Sequence, residues 1–344
     1  MNGMQTKIQD VIRVLSSHAP LSWQEDYDNC GLLVGDHQTV ITGIMTCLDV
    51  TLEVINETIQ HGANLIVSHH PIIFKPLKKL SQGGFVENIL LKAIKNDIAI
   101  YVIHTNLDNA FHRGINETLA KIIGLNNRSI LQEKPGLLSQ IQCVLSENEV
   151  NLILPALKLL NPHSLSYQAG ITNLSEGKLS MVLLNHQLSE ACQMIDSLTG
   201  KTPFKEITEV KNTSHLVGAG MIGYLDQPMA PVDFLDLLKN ALSLKVIKHT
   251  FLCKDKIHKV AICGGSGSFL LTDALRAQAD IFVTSDYKYH QFQEANNKII
   301  IADIGHYESE VCAVNLIKQI ISEKFTNFAI RSTTVVTNPV YYHQ

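Results

Sequence analysis

Short apolar runs and amphipathic stretches of helical period alternate through the first part of the chain. ITGIMTCLDV, ANLIVSHH and IAIYVIHT are strand-like, whereas TLEVINETIQHG, FVENILLKAIKND and GINETLAKIIG repeat apolar residues at helical steps. This rhythm predicts α/β units around a largely buried sheet. Gly62 and Gly124 stand where two of the helices should stop, in the left-handed conformation that glycine adopts cheaply. The last part repeats the style with strands HKVAICGG, DIFVTSD and KIIIADI and helices through FLLTDALRAQA, YHQFQEANN and ESEVCAVNLIKQIISEKF. Between them the pattern changes to strand, helix, strand, twice over: IQCVLSENEV, NLILPALKLLN and SLSYQAG, then KLSMVLLN, QLSEACQMIDSLTG and FKEITEVKN. A doubled βαβ in so short a stretch suits a ferredoxin-like α+β module, with the turn-rich Pro135-Gly136 and Asn212-Thr213 as joints. The expected organisation is a first α/β half over residues 1–136, an inserted ferredoxin-like domain over 137–214, and a second α/β half over 215–344. The two halves would form one discontinuous domain.

Length agrees, because 344 residues exceed the roughly 100–200 of one ordinary domain. Hydrophobic residues at 45% and charged residues at 17% predict a chain that folds throughout. A net charge of −4 offers no general attraction to a polyanion. Lys75, Lys78 and Lys79 come nearest to a basic patch and read as a solvated face, so nucleic acid is not an expected partner. Seven cysteines, an odd and scattered set without a Cys-x-x-Cys pair, fit a reducing compartment. Lys7, Asp10 and Arg13 interrupt the apolar positions of the first residues, which gives an amphipathic helix rather than a signal-peptide core. No apolar stretch reaches the length of a membrane span. The expectation is a cytoplasmic protein with no membrane partner.

Candidate chemistry sits where apolar strands end. ANLIVSHHP finishes in His69-His70-Pro71, at the carboxyl end of a strand, where open α/β sheets collect ligands. Neighbouring side chains on a regular strand diverge, so both imidazoles serve one site only if the chain leaves the strand there, as Pro71 favours. They would then address different ions. IAIYVIHTNLDNA ends likewise and presents His104 and Asp108. Imidazole with carboxylate suits zinc, iron or manganese rather than the all-oxygen shell of magnesium or calcium. In IIIADIGHYESE, a helix beginning near Gly305 puts His306 and Glu310 on one face. Glu310 could then bridge two ions about 3.5–4 Å apart, the separation at which both act on one water and one substrate.

Two further segments admit both a functional and a plain structural reading. Gly264-Gly265-Ser266-Gly267 follows a strand, where backbone N–H groups could cradle a substrate phosphate, or it is simply a tight turn. Asp286 and His290 also follow a strand. They could contact substrate, move protons or support the metal ligands, or Asp286 could cap the next helix with His290 on its face. His163 and His186 in the insert read as ordinary surface histidines.

In this order SHHP, HTNLD, GGSGS, TSDYKYH and GHYESE, together with the early WQEDYDNCGLLVGD, resemble the Nif-three-like dinuclear metal-centre family, whose members are often labelled GTP cyclohydrolase type 2 homologues. The resemblance covers both outer parts, roughly residues 1–130 and 215–344. It implies two similar α/β halves assembled as a homohexameric toroid, a trimer of dimers, around a cavity faced by two-metal sites. By motif the ligands are His69, His70, Asp108, His306 and Glu310, with His104 beside them. Longer members carry a PII-like insert, as the doubled βαβ suggests here.

Three functions follow as expectations. The first is a metal-dependent hydrolase with two divalent ions per chain, zinc foremost, acting on a nucleotide or related small molecule; the family's proposed reaction opens a purine imidazole ring. His104, Asp286 or His290 would then supply proton transfers. The second is a non-catalytic scaffold, metal chaperone or regulatory protein. A third, a DNA- or transcription-associated role, sits poorly with the acidic balance.

Overall fold

The computed structural model describes residues 5–173 and 176–343. It divides into two compact units, Met1–Gln132 with Leu216–Gln344, and Glu133–His215.

The larger unit is mixed α/β and is built on two sheets. One sheet runs in the order Gly31–Val34, Ala99–Val102, Leu65–Ser68, Gly43–Cys47 and Ala329–Ser332. All its pairings are parallel except that of the edge strand Gly31–Val34. The other runs Lys248–His249, Ile300–Asp303, Ile281–Ser285, Ile257–Ser266, Gly218–Met229 and Asn126–Glu133. Its three central strands Ile300–Asp303, Ile281–Ser285 and Ile257–Ser266 are parallel. Each half thus offers a bank of parallel strands with buried apolar side chains, the arrangement that continuous rather than alternating hydrophobic runs foretell. One core joins them: Leu65, Val67 and Tyr101 from the first half share a cluster with Ile281, Ile300, Ile317 and Ile320 from the second.

Local signals explain the helices. Leu52–Gln60 starts where the Thr51 hydroxyl accepts from the Val54 N–H, and it stops before Gly62 at φ 64°. The long helix expected after the GHY motif is two, His306–Glu310 and Cys312–Ser322. The longer one buries Ala313, Val314, Leu316, Ile317, Ile320 and Ile321. The helix read through FLLTDALRAQA is also short, a 3₁₀ turn Ser268–Leu270 followed by Leu271–Arg276.

In the smaller unit the strands Leu138–Ser146, Ser164–Asn173, Glu176–Leu184 and Lys205–Val210 form one antiparallel sheet. Its order is second, third, first, fourth, with helices Glu147–Lys158 and Leu188–Thr199 in a βαββαβ sequence. Ile141, Leu145, Ile153, Leu179 and Ile195 belong to its own core. Half-buried His163 meets the Ser214 hydroxyl at 2.9 Å. Among the described residues no helix is long and apolar enough to cross a membrane.

Candidate metal centre

The parallel register sets Cys47 beside Ser68 and Ser68 beside Val102, so three strands of the first sheet end level. Asp49, His69 with His70, and His104 leave from those ends. Asp108 closes the short helix Thr105–Asp108. From the second sheet, strand Ile300–Asp303 passes through Gly305, at φ 92°, into helix His306–Glu310. That φ lies outside what L side chains readily adopt and accounts for the glycine before His306.

Adjacent His69 and His70 converge because pairing is irregular after Ser68. The His69 and His70 N–H groups donate to the Cys47 and Leu48 carbonyls at 3.1 and 2.9 Å, while the Ser68 hydroxyl turns back onto the His70 carbonyl at 3.0 Å. The two rings lie 5.2 Å apart at 41°.

Each of the four imidazoles is held through Nδ1. His69 donates to the Ile103 carbonyl at 2.9 Å, His70 to Asp49 at 2.7 Å, His104 to Asp28 at 2.9 Å and His306 to Asp286 at 2.7 Å. Such partners fix ring orientation and turn Nε2 towards the cluster, as in metal-ligating histidines. The Nε2 atoms of His70 and His306 lie 3.3 Å apart, and both close on Glu310 Oε2, at 2.8 and 2.9 Å. His69 Nε2 and Asp108 Oδ1 are 3.5 Å apart, both buried, and neither has a hydrogen-bond partner. Buried polar atoms are rarely left so, because each forfeits its hydration. A cation between them would satisfy both, and the nitrogen and oxygen donors fit a divalent transition metal. Three groups could hold an ion: His69, Asp108 and Glu310; His70, His306 and Glu310; and His69, His70 and His104. Glu310 belongs to two of them, as a bridging carboxylate must.

The electrostatics are uneven. Burial pushes His69 down to about 3. Burial also opposes charge on His70 and His306, but Asp49, Asp286 and Glu310 outweigh it and push them up to about 9 and about 10. Burial and the Glu310 charge lift Asp108 well above the carboxylate range. Glu310 goes the other way, because the hydrogen bonds from His306 and His70 overcome its burial. An excess of donors around a shared carboxylate, beside a carboxylate with none, is a charge pattern that cations could balance.

The glycine run has a different occupation from a phosphate cradle. The Gly264 N–H donates to Asn116 Oδ1 and the Gly265 N–H to Ser309 Oγ, both at 2.9 Å. A Cβ on Gly265 would come within 2.1 Å of Glu310 Oε1. The run makes room for the shared carboxylate. Strand Ile257–Ser266 continues through Ser266, and Gly267 precedes the short 3₁₀ turn. Asp286 sits at φ 60° and holds His306, while at the start of the next helix, Tyr289–Gln293, the Lys288 N–H donates to Gln291 Oε1 at 2.8 Å. His290 is exposed beside the Tyr289 ring and lines neither cavity that flanks the cluster.

Reading the sequence missed Asp28 and Asp49. Asp28 lies in the early YDNCG loop, where it also accepts from the Thr105 hydroxyl at 2.5 Å and the Thr105 N–H at 3.0 Å. Asp49 follows a strand end as His69 does, the one positional signal that could have flagged it. Its second oxygen accepts from the Thr337 hydroxyl at 2.8 Å.

A cavity of about 450 Å³ opens onto His70, His104, Asp108, His306 and Glu310. A second, of about 370 Å³, lies on the side of Asp49 and Asp286 and is walled by Asn338, Pro339, Val340 and Tyr342.

Fold and cluster together define an α/β protein of two sheet-based halves carrying a histidine and carboxylate group suited to divalent metal. The chain belongs to the Duf34/NIF3 (NGG1p interacting factor 3) family, whose description matches residues 6–339. It is 32% identical over 372 aligned positions to a Staphylococcus aureus (strain MSSA476) protein named GTP cyclohydrolase 1 type 2 homolog, covering 98% of this chain and 100% of that one. Among solved structures, a Bacillus cereus protein related to NIF3 superposes with a TM-score of 0.86 at 25% identity, covering 99% and 100%. Staphylococcus aureus protein SA1388 gives 0.80 at 33%, with the same coverage.

Proposed function

We propose that this chain is a metal-dependent hydrolase holding two divalent ions on His69, His70, Asp108, His306 and Glu310. Its substrate would be a nucleotide or a related small molecule, as the name of the staphylococcal relatives suggests. The observation that carries the reading is the buried, unpartnered pair His69 Nε2 and Asp108 Oδ1 beside a carboxylate shared by two further histidines. Divalent ions in such a site lower the pKa of water and act as Lewis acids toward the attacked group.

The chain's own residues have separable tasks in this proposal. Asp49 and Asp286 hold His70 and His306 in the tautomer that offers Nε2. His104, fixed through Nδ1 by Asp28, keeps Nε2 for a ligand bond or a proton transfer at the cavity wall. Five residues for two ions leave coordination positions open, as catalytic sites do, and the adjoining cavity gives a small molecule access to them. Zinc is the first ion to test, followed by iron and manganese.

The same proposal takes residues 133–215 as a PII-like module, supported by their βαββαβ order, and the assembly as a homohexamer. A cytoplasmic setting is supported by seven free cysteines.

Metal analysis of the native protein, His306→Ala and Glu310→Ala, with assays of GTP ring opening and of phosphoester hydrolysis, tests the reading. Two ions per native chain, fewer in both variants, and turnover lost in folded Glu310→Ala are expected. Native stoichiometry below two and unmoved by either change overturns the metal site. Two ions with no turnover in either assay overturns the hydrolase and leaves a metal-binding scaffold.

A further inference from the structure

The cavity in front of the metal cluster has an aromatic lip that coordination does not require. Tyr27 and Phe74 both line it, with ring centroids 6.3 Å apart and planes at 49°. Tyr27 is 63% and Phe74 50% exposed, and a third ring on the same cavity, Phe269, is 58% exposed. Scattered exposed apolar residues are ordinary. Three aromatic rings around one opening that leads to three histidines are not scattered.

The first two rings are tied to the metal ligands by short paths. Tyr27 immediately precedes Asp28, which holds His104 at 2.9 Å and the Thr105 hydroxyl at 2.5 Å. Phe74 follows His70 by four residues, and its neighbour Ile73 is pinned when the Asn29 amide donates to the Ile73 carbonyl at 2.7 Å. Segments 27–29 and 70–74 are therefore fastened to each other and to two histidines of the cluster. The rings are carried on the framework that sets the ligands.

From this we infer that Tyr27 and Phe74 form a recognition lip for a planar heteroaromatic ring. They are specificity-determining residues that select substrates presenting such a ring beside the group offered to the metals. This rests on the reading of the cluster as a substrate-binding metal site and adds the residues that select a ring-bearing substrate. Aromatic faces suit such a ring because every base has a π-face, so stacking needs no particular hydrogen-bond pattern. A volume of about 450 Å³ lies within the range of cavities that take small ligands. Asn109 and Asn116, which also line it, already spend their amides, on Trp23 and Glu25 and on the Asp108 carbonyl. Stacking lets the mouth recognise a ring without calling on these two amides.

The test uses the full-length, metal-loaded protein and two probes that share a phosphate and a ribose but differ in the ring: guanosine 5′-monophosphate and ribose 5-phosphate. Their affinities are measured by titration calorimetry for the native protein, Tyr27→Phe, and Tyr27→Ala with Phe74→Ala together, alongside metal content and oligomeric state. The native protein should prefer the nucleotide by about tenfold or more, the scale of one or two stacking contacts. Tyr27→Phe should keep that preference. The double variant should lose it while still binding ribose 5-phosphate and holding native metal content.

Equal binding of both probes by the native protein overturns the inference. So does a preference that survives the double variant, or failure of the nucleotide to bind. A double variant that changes oligomeric state and leaves the preference intact identifies the rings as an interface instead. A clear ring preference with no turnover in any assay sinks the hydrolase and spares the lip, whereas turnover without ring preference does the reverse.

Discussion

Replacing Asp49 separates a supported histidine from a free one. Its Oδ1 accepts from His70 Nδ1 at 2.7 Å and its Oδ2 from the Thr337 hydroxyl at 2.8 Å, so one carboxylate orients a candidate ligand and anchors the segment after strand Ala329–Ser332. Removing a carboxylate behind a ligating histidine lowers metal affinity by about 10–100-fold, or about 1.4–2.7 kcal/mol. Two features of this site divide that range. The Asp49 side chain keeps 35% of its exposure, so its charge is partly screened, and Asp49→Asn, which can still accept through its amide oxygen, should fall near tenfold. Asp49→Ala also leaves His70 Nδ1 without an acceptor and frees the ring to turn, which puts it near a hundredfold. The loss should be confined to one ion, because His69 and Asp108 do not touch Asp49. Competition titration against a chelator of known affinity, with two ions resolved, reads this directly. Two ions held by folded Asp49→Ala within twofold of native affinity would refute the idea that Asp49 sets the His70 ligand.

Three further expectations rest on separate contacts. Gly265→Ala puts a methyl within 2.1 Å of Glu310 Oε1 at a backbone φ of 64°, so metal content should fall below two per chain; native content would show that Glu310 can yield. Asp108→Asn should stabilise the metal-free protein by about 1–3 kcal/mol and abolish stabilisation by metal, as differential scanning calorimetry would show. The sign follows from its raised pKa: the buried acid carries no charge penalty while protonated, so the advantage of the variant should be smallest below about pH 4, grow as pH rises towards the folded pKa and level off above it. A constant gap across pH would contradict this. Glu57, buried, accepts from the Thr333 hydroxyl and from the Thr334 N–H and hydroxyl at 2.9 and 2.6 Å. Glu57→Ala should therefore cost about 1–3 kcal/mol and open the segment after residue 332 to limited proteolysis; unchanged cleavage would show that other contacts hold it.

What the sequence revealed and what it hid divide along a physical line. His69, His70 and His104 were legible because each follows a buried apolar run and one parallel sheet brings those ends to a single edge, whereas His306 follows a run of the second sheet and joins them only through the fold. Glu310 was legible through helical spacing from His306. The carboxylates behind them were not, because Asp28 lies in an irregular loop with no period to place it, and its partner His104 is 76 positions away. Asp49 sits at a strand end, yet next to a helix start an aspartate has many local uses, and only the fold reveals His70 as its partner. The glycine run shows a different limit. Four small residues at the end of a strand signal close approach of something to the backbone, and the chain's local pattern does not say whether that is a phosphate or a carboxylate of its own. Here Glu310, 45 residues beyond Gly265 in sequence, makes the approach. Strand ends therefore announce which residues can meet, whereas the direction of each imidazole is set by partners whose distance in sequence no local rule encodes. That is why the candidate cluster could be read ahead of the structure while two of its supports, Asp28 and Asp49, could not, and why these two and Asp286 are the positions where mutation most sharply distinguishes a metal centre from a mere cluster of histidines.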